Sequence, residues 1–463
     1  MNTTDDKSQA TEAYAKHKKV YPREVHGVFA SLRVTGVLVL LGLYYLIPWI
    51  SWDGHQSVLF DLPARKFYIF SMTFWPQDFF YLAILLIIAA LALFFFTALA
   101  GRLWCGYACP QTVWTEVFLW IERKFEGDRN KQIKNDKAPW VKSNVFRKFG
   151  KHTAWILFSL WTGFTFVGFF TPIIELGQSL LQFTLGPWET FWIIFYSFAT
   201  YGNAGWMREQ VCIYMCPYAR FQSAMFDENT LVISYDTQRG EPRGSRKKNI
   251  NPRDIGLGDC VDCTMCVQAC PTGIDIRDGM QYQCIGCAAC IDICNEVMGK
   301  LDYEKGLVKY TTENAIEGKA TQVFRPRMIV YAVLLATITL GLLYSMATRV
   351  PLKLDIIRDR NALYRETNEE WIENVYTLKI INMDKLDHHL ALSVSGISGM
   401  RLKGVDKKLI AVSGTVMEKV VRIEVDPTML NKAGYDITFR LQAVDQPSLT
   451  INEKGRFIGP LRR

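Results

Sequence analysis

The sequence predicts a multi-domain membrane protein with three parts: an α-helical transmembrane bundle of about five spans, an inserted cysteine-rich α+β module and a C-terminal β-sandwich. Three observations lead to this prediction. Long uncharged runs alternate with basic loops, twelve cysteines fall in regular C-x-x-C or C-x-x-x-C spacings, and the chain after residue 350 alternates apolar and polar residues. The 463 residues have a mean hydropathy of +0.05, as expected when membrane segments and water-exposed segments share a chain.

Five segments without Asp, Glu, Lys or Arg are predicted to be transmembrane helices. Each approaches or exceeds the ~20 residues that cross a bilayer core. The first extends back to residue 28 if Arg33 reaches the headgroup region. Buried helices of a large soluble enzyme are the alternative, which five such runs in one chain disfavour. The segments are 34–50, 79–100, 154–174, 190–207 and 328–348.

Basic residues beside the spans predict their orientation. They concentrate before the first span, between the second and third, and after the fourth, whereas residues 51–78 and 174–189 contain few. Because Lys/Arg-rich loops stay in the cytoplasm, the N-terminus and the cysteine-rich module are predicted to be cytoplasmic, and the C-terminal domain to lie on the far side. No cleavable signal peptide is expected. This bias accounts for the formal net charge of +8, so no nucleic-acid partner is predicted.

The cysteine-rich module contains C-x-x-C-x-x-C-x-x-x-C twice, which is the spacing of bacterial two-cluster ferredoxins. Three thiolates of each run reach three corners of one [4Fe–4S] cubane, and the fourth begins a helix that leads to the other cluster. Asn295 stands where proline is usual after the second run. Two zinc sites or four disulfides are the alternatives, and eight cysteines in this double spacing favour two [4Fe–4S] clusters. The predicted ligand sets are Cys260, Cys263, Cys266 and Cys294 for one cluster, and Cys284, Cys287, Cys290 and Cys270 for the other.

The remaining four cysteines form two C-x-x-x-C-P motifs, one after the second span and one after the fourth. Both follow an Ala-Gly pair, which indicates a weak internal repeat. Either each segment is helical with both sulfurs on one face, or a new helix begins at Pro110 and Pro217. The second geometry predicts lowered pKa values for the preceding thiols. Small packing residues, redox disulfides and one further cluster are alternatives to a soft-metal site. The four residues are Cys105, Cys109, Cys212 and Cys216.

The C-terminal region is predicted to be an immunoglobulin-like sandwich that docks a partner. Short alternating stretches such as "VYTLKIINM" and "VVRIEVDP" are separated by turn residues over roughly a hundred residues. The region has no cysteine. The neighbouring His388 and His389 are predicted to lie in a solvated turn rather than to bind a metal.

These parts divide the chain into five predicted segments. They are a cytoplasmic tail (1–27), four spans with both C-x-x-x-C-P motifs (28–226), a two-cluster ferredoxin domain (227–325), a fifth span (326–348) and the immunoglobulin-like domain (349–463).

This order of parts resembles the CcoG/RdxA/FixG family of accessory proteins for the cbb-type haem–copper cytochrome c oxidase. The segments "LWCGYACPQTVW" and "REQVCIYMCPYARFQ" look like that family's hallmark segments. The resemblance implies a bacterial inner-membrane protein with a periplasmic C-terminal domain. It also implies reduction of Cu(II) to Cu(I) for oxidase assembly, with Cys105, Cys109, Cys212 and Cys216 as the copper-reducing site.

The expected partners are oxidase assembly factors, a copper chaperone and an unidentified cytoplasmic electron donor, and the sequence leaves a homodimer open. Two other functions remain open. One is a quinol-linked membrane ferredoxin relay, and the other is a redox sensor or assembly scaffold without turnover.

Overall fold

The structure is a computed structural model that describes residues 19–138, 142–247, 252–405 and 409–460. The chain forms two structural units, Met1–Thr339 and Leu340–Arg463. Of the tail predicted over 1–27, residues 1–18 lie outside the described part of the chain.

The membrane part of the first unit is helical, and its first two helices follow the first two uncharged segments closely. Among the residues that the structure describes, three helical stretches are long and apolar enough to cross a membrane: Val28–Trp49, Pro76–Ala100 and Pro326–Ala347. Short hairpins connect the first two: β1 (Ser51–Trp52), β2 (His55–Gln56), β3 (Val58–Asp61), β4 (Lys66–Ile69) and β5 (Met72–Phe74). The helices are α1 (Val28–Leu46), α2 (Phe79–Ala100), α3 (Leu103–Tyr107), α4 (Pro110–Glu126), α5 (Arg129–Lys137), α6 (Lys142–Val167), α7 (Ile173–Leu181), α8 (Pro187–Thr200) and α9 (Pro217–Ser223).

The predicted third and fourth spans have different shapes from those expected. Helix α6 ends at Val167, and α7 begins after Pro172, which cannot continue a preceding helix. Helix α8 has only 14 residues before it continues as a π-helix over Tyr201–Met207. The two helices approach closely at Gly163, where an added Cβ would lie 2.5 Å from the carbonyl oxygen of Ile193. A count of five spans therefore stays a prediction.

The cysteine-rich module is built around one small antiparallel pair, β6 (Val232–Tyr235) with β7 (Val308–Thr311). Strand β6 lies in a polar and basic stretch, and its pairing with β7 makes that stretch an edge of the module. Both cysteine runs lie between these strands, together with α10 (Thr237–Gly240), α11 (Met265–Ala269) and α12 (Ala289–Lys300). Helix α13 (Glu313–Ile316) comes after β7. Helix α14 (Pro326–Ala347) follows.

The second unit is a sandwich of two antiparallel sheets. One has the strand order β12-β14-β10-β8, with β9 paired to β10, and the other has the order β13-β11-β15-β16. Their facing side chains, including Tyr376, Phe439 and Phe457, form one buried core. The strands are β8 (Leu352–Arg358), β9 (Arg365–Glu366), β10 (Ile372–Asn382), β11 (His388–Ser395), β12 (Arg401–Lys403), β13 (Leu409–Ala411), β14 (Val416–Val425), β15 (Gly434–Ala443) and β16 (Thr450–Ile458).

The prediction of a solvated turn at His388 was wrong. His388 begins strand β11 and is 1% exposed. Its Nδ1 lies 2.6 Å from Oδ2 of Asp445, and its Nε2 lies 3.0 Å from Oδ2 of Asp384. Each ring nitrogen of the buried His388 therefore has a carboxylate partner. These are the surroundings of a protonated imidazole with a structural role.

Candidate functional site

The two cysteine runs fold into the same local shape. In each, the residue before and the residue after the second cysteine have positive φ: Asp262 (52°) and Thr264 (55°) in the first run, and Gly286 (69°) and Ala288 (59°) in the second. Thr264 and Ala288 are also the N-caps of α11 and α12. These left-handed residues wrap each loop tightly, so three thiols of a run turn toward one side.

Two cavities of similar size are lined by cysteine thiols. The first, with an empty space of about 370 Å³, is lined by Cys260, Cys263, Cys266 and Cys294. The second, of about 340 Å³, is lined by Cys270, Cys284, Cys287 and Cys290, and Cys266 also borders it. Each cavity takes its fourth cysteine from the other run. The donor set and the paired cavities fit two cubane clusters.

Single-ion sites are a different matter. Within the described parts of the chain, no three His, Cys, Asp or Glu side chains are arranged to hold one metal ion. A cubane spreads its thiolates over several iron atoms, so its ligands need not converge on one point.

The ferredoxin module docks on the membrane helices through buried polar contacts. The carboxylate of Asp292, in α12, accepts hydrogen bonds from the first backbone N–H groups of α1, including that of Ala30 at 2.7 Å. Arg33 donates to the carbonyl oxygen of Cys287, and Arg102 to that of Cys284. Two guanidinium groups thus lie beside two predicted cluster ligands.

The two C-x-x-x-C-P motifs also share one shape. Cys109 is the N-cap of α4 with Pro110 in the first turn, and Cys216 is the N-cap of α9 with Pro217 in the first turn. The alternative of a helix that begins at each proline is therefore the observed geometry. Cys105 lies in α3, and Cys212 lies in a π-helical turn over Val211–Met215.

The fold brings the four motif thiols together, far apart though they are in sequence. The pKa of Cys105 is raised to about 12, mainly by burial, with smaller upward contributions from Cys109 and Cys216. Burial likewise raises the pKa of Cys212 to about 12, with contributions from the other three thiols. These mutual effects place the four thiols near enough to influence one another's ionisation.

The predicted lowering of the Cys109 pKa was wrong. The backbone N–H groups of Gln111 and Thr112 do lower it, as expected at a helix start, but burial raises it by more. A thiol here therefore stays protonated at neutral pH, and a metal must displace the proton.

The first motif rests directly on the second cluster loop. Gly106 lies so close that an added Cβ would be 2.7 Å from the carbonyl oxygen of Gly286 and 2.9 Å from the Cα of Cys287. Cys105 and Cys212 pack against the apolar group that includes Cys287. The motif thiols and one cysteine-lined cavity are therefore neighbours.

Three positioning residues were missed by the sequence analysis. Arg102 is 7% exposed and also donates to the carbonyl oxygens of Tyr282 and Ala219. Gln222 is fully buried and accepts from the Cys105 thiol at 3.6 Å. Gly106 is the third. The one available signal was the recurrence of Ala-Gly before each motif, which marks where Arg102 follows a turn at Gly101 (φ 54°).

Comparison with known proteins agrees with this architecture. Residues 207–313 match a family described as a 4Fe-4S dicluster domain, residues 82–127 match a 4Fe-4S binding domain, and residues 342–460 match the IG-like fold at the C-terminal of FixG. The chain is 40% identical over 430 residues to nitrogen fixation protein FixG of Rhizobium meliloti, covering 84% of this chain and 82% of the relative. The chain belongs to the CcoG/RdxA/FixG family.

A second relative also supports the family. Protein RdxA of Cereibacter sphaeroides is 39% identical over 404 residues, which cover 84% of each chain. The crystal structure of a FixG-related protein from Vibrio parahaemolyticus matches 24% of this chain and 98% of its own, with 32% identity and a TM-score of 0.22. As a FixG relative with these domains, the protein is a membrane iron–sulfur redox protein with an immunoglobulin-like C-terminal domain.

Proposed function

We propose that this protein reduces Cu(II) to Cu(I) for assembly of the cbb-type cytochrome c oxidase. The observation that carries the proposal is the packing of Gly106, inside the first C-x-x-x-C-P motif, on the loop of Cys287. A thiol site for a soft metal thereby adjoins a predicted iron–sulfur ligand. The clusters supply single electrons when bound, which matches the one-electron change from Cu(II) to Cu(I).

Each cluster takes three ligands from one cysteine run and one from the other. Cys260, Cys263, Cys266 and Cys294 hold the first cluster, and Cys284, Cys287, Cys290 and Cys270 hold the second. The second is the one next to the copper site, because its loop contacts Gly106. The first lies beyond it and is the point that a cytoplasmic electron donor reaches.

The copper site consists of Cys105, Cys109, Cys212 and Cys216. Thiolates prefer Cu(I), so binding favours the reduced ion. The thiols are not arranged around one ion in this conformation, and copper binding must release the thiol protons. The side-chain oxygen of Gln222 accepts a hydrogen bond from the Cys105 thiol until copper displaces the thiol proton.

The cell context follows from the basic loops and the family. The protein spans the bacterial inner membrane several times, with the ferredoxin module in the cytoplasm and the immunoglobulin-like domain in the periplasm, where it docks oxidase assembly factors. A copper chaperone receives Cu(I). Reporter fusions test the topology: one at the C-terminus should be active only outside the cytoplasm, and one near Arg246 only inside.

The test of function is Cu(II) reduction by anaerobic protein whose clusters have been reduced chemically. The wild type should produce Cu(I), and Ser variants of Cys105 or Cys212 should not, while their iron and sulfide content stays unchanged. Cells that carry these variants should have low cbb-type oxidase activity. Wild-type rates in the variants would make the motifs structural and reopen the quinol-linked relay.

One observation favours a second candidate for the four thiols. Residues 82–127, which contain Cys105 and Cys109, match a 4Fe-4S binding domain. Four convergent cysteines could then hold a third cluster, and the protein would be a longer electron relay. Iron analysis separates the two: about eight iron atoms per chain support the copper site, and about twelve support a third cluster.

A further inference from the structure

A third cavity lies where the segment before α1, helix α4, the turn after α8 and the ferredoxin module meet. Its empty space of about 840 Å³ is more than twice that of either cysteine-lined cavity, at about 370 and 340 Å³. Cys212 and Cys287 both line it. A molecule in this cavity would touch a motif thiol and a predicted cluster ligand at once.

The lining of this cavity is basic. It contains four guanidinium groups, Arg23, Arg33, Arg123 and Arg208, against two acidic side chains, Glu116 and Glu209. Two of the arginines are committed elsewhere. Arg208 pairs with Glu122, outside the lining, at 2.8 Å, and Arg33 donates to the carbonyl oxygen of Cys287, where it would offset the negative charge of a bound cluster.

The other two arginines have weak partners. Nη1 of Arg23 lies 3.4 Å from Sδ of Met265, and a thioether is a poor acceptor. Nη1 of Arg123 lies 3.7 Å from Oε1 of Glu116, beyond hydrogen-bond distance. Guanidinium groups bind carboxylates through paired hydrogen bonds, so this cavity presents unused donors for an anion.

We propose that the cavity binds a small organic polycarboxylate through Arg23 and Arg123, and that copper reaches Cys212 as the anionic chelate of such a molecule; the second clause rests on the function proposed above. An excess of guanidinium groups repels a free Cu(II) cation and attracts a negatively charged complex.

The transfer balances in atoms and charge. Cu(II) gains the one electron that the iron–sulfur clusters supply, and the cytoplasmic donor replaces that electron. Copper–oxygen bonds to the carboxylates break and copper–sulfur bonds form, because Cu(I) prefers soft thiolates. The Cys212 thiol gives up its proton to water, and the free polycarboxylate leaves the cavity.

The test is equilibrium binding of metal-free citrate to the anaerobic full-length protein in detergent. Wild type should bind citrate saturably, and Arg123→Gln should weaken binding at least about tenfold, because a charge-assisted hydrogen bond is lost. Arg23→Gln, on a different segment, should have the same effect. Lys124→Gln is the matched control, since Lys124 is the next residue of α4, is exposed and does not line the cavity.

Three results would overturn the proposal. The first is that wild type does not bind citrate saturably. The second is that both arginine variants, with normal iron content, bind citrate with unchanged affinity. The third is that phosphatidylglycerol vesicles displace bound citrate more effectively than unlabelled citrate does. The last would assign the cavity to a lipid headgroup. The binding assay contains no copper, so it tests this site independently of the proposed function. Citrate binding without Cu(II) reduction would support this site and reject the proposed function. Cu(II) reduction without citrate binding would reject this site and leave the proposed function standing.

Discussion

Arg102 donates a hydrogen bond at 3.2 Å to the backbone carbonyl oxygen of Cys284, a residue 182 positions further along the chain. The same buried guanidinium donates to the carbonyl oxygen of Ala219, in the helix that follows the second C-x-x-x-C-P motif. Arg102 itself lies three residues before Cys105 of the first motif. Its guanidinium group therefore links a predicted cluster ligand to the segments that carry both motifs. It also lowers the pKa of Cys105 and Cys212, against the larger effect of burial.

Replacement of Arg102 by Gln should lower the reduction potential of one cluster and leave the other unchanged. A buried positive charge favours the more negative, reduced state, so its loss makes reduction harder. Redox titration followed by EPR measures this, with Arg65→Gln in an exposed loop as the control. Arg102→Lys should restore part of the potential. Unchanged potentials in an intact Arg102→Gln protein would show that the residue only holds the fold.

Gly106→Ala should slow electron transfer to Cu(II) without loss of iron or sulfide. Alanine normally favours a helix over glycine by up to about 1 kcal/mol, but here the methyl group would lie 2.7 Å from a backbone oxygen and push the motif away from the loop of Cys287. Gly42→Ala is the matched control, because an added Cβ at Gly42, in α1, has no atom within 4 Å. Equal rates in the two variants would contradict the role of this contact.

Glu122→Ala should destabilise the first unit by about 3–5 kcal/mol, since it leaves buried cations without their carboxylate. Glu122 is 1% exposed, and its carboxylate lies 2.8 Å from Arg208 and 3.4 Å from Lys151. Denaturant titration in detergent gives the free energy of unfolding. The exposed Glu175→Ala should change it by less than about 1 kcal/mol. An equally small decrease in the free energy of unfolding of Glu122→Ala would mean that water reaches the buried cations.

The immunoglobulin-like unit should lose stability as the pH rises past neutrality. Burial lowers the pKa of His388, but Asp445 and Asp384 raise it by more, so the net shift is upward. The histidine's contribution is therefore complete below its unfolded pKa of about 6.5 and disappears as the pH rises through the folded value. Calorimetry of the full chain gives the unfolding temperature of the immunoglobulin-like unit. The unfolding temperature of wild type should exceed that of His388→Gln by more at pH 6 than at pH 9. If the difference in unfolding temperature between wild type and His388→Gln does not depend on pH, His388 is not protonated in the folded unit.

The parts predicted best from sequence are those that depend on neighbouring residues. The double cysteine spacing predicts two ligand sets because each loop is short, and the structure lines two cavities with those sets. The prolines at 110 and 217 likewise predict helix starts. The sandwich follows from alternation along each strand, which its two sheets confirm.

The parts predicted worst depend on contacts between distant segments. His388 looks like a turn residue because Asp384 and Asp387 precede it, yet Asp445, 57 positions away, makes its burial acceptable. The thiol pKa values depend on burial by the ferredoxin module, which local sequence around Cys109 does not reveal. The segment 154–174 is uncharged throughout, but Pro172 divides it and shortens the helix.

The most direct test of the central claim is single-turnover oxidation of the reduced clusters by Cu(II), followed by stopped-flow absorbance. Wild type should lose its reduced-cluster signal with one Cu(I) formed per electron. Cys105→Ser and Cys212→Ser proteins that retain full iron and sulfide should react many times more slowly. Oxidation of these variants at the wild-type rate would contradict electron transfer through the motif thiols.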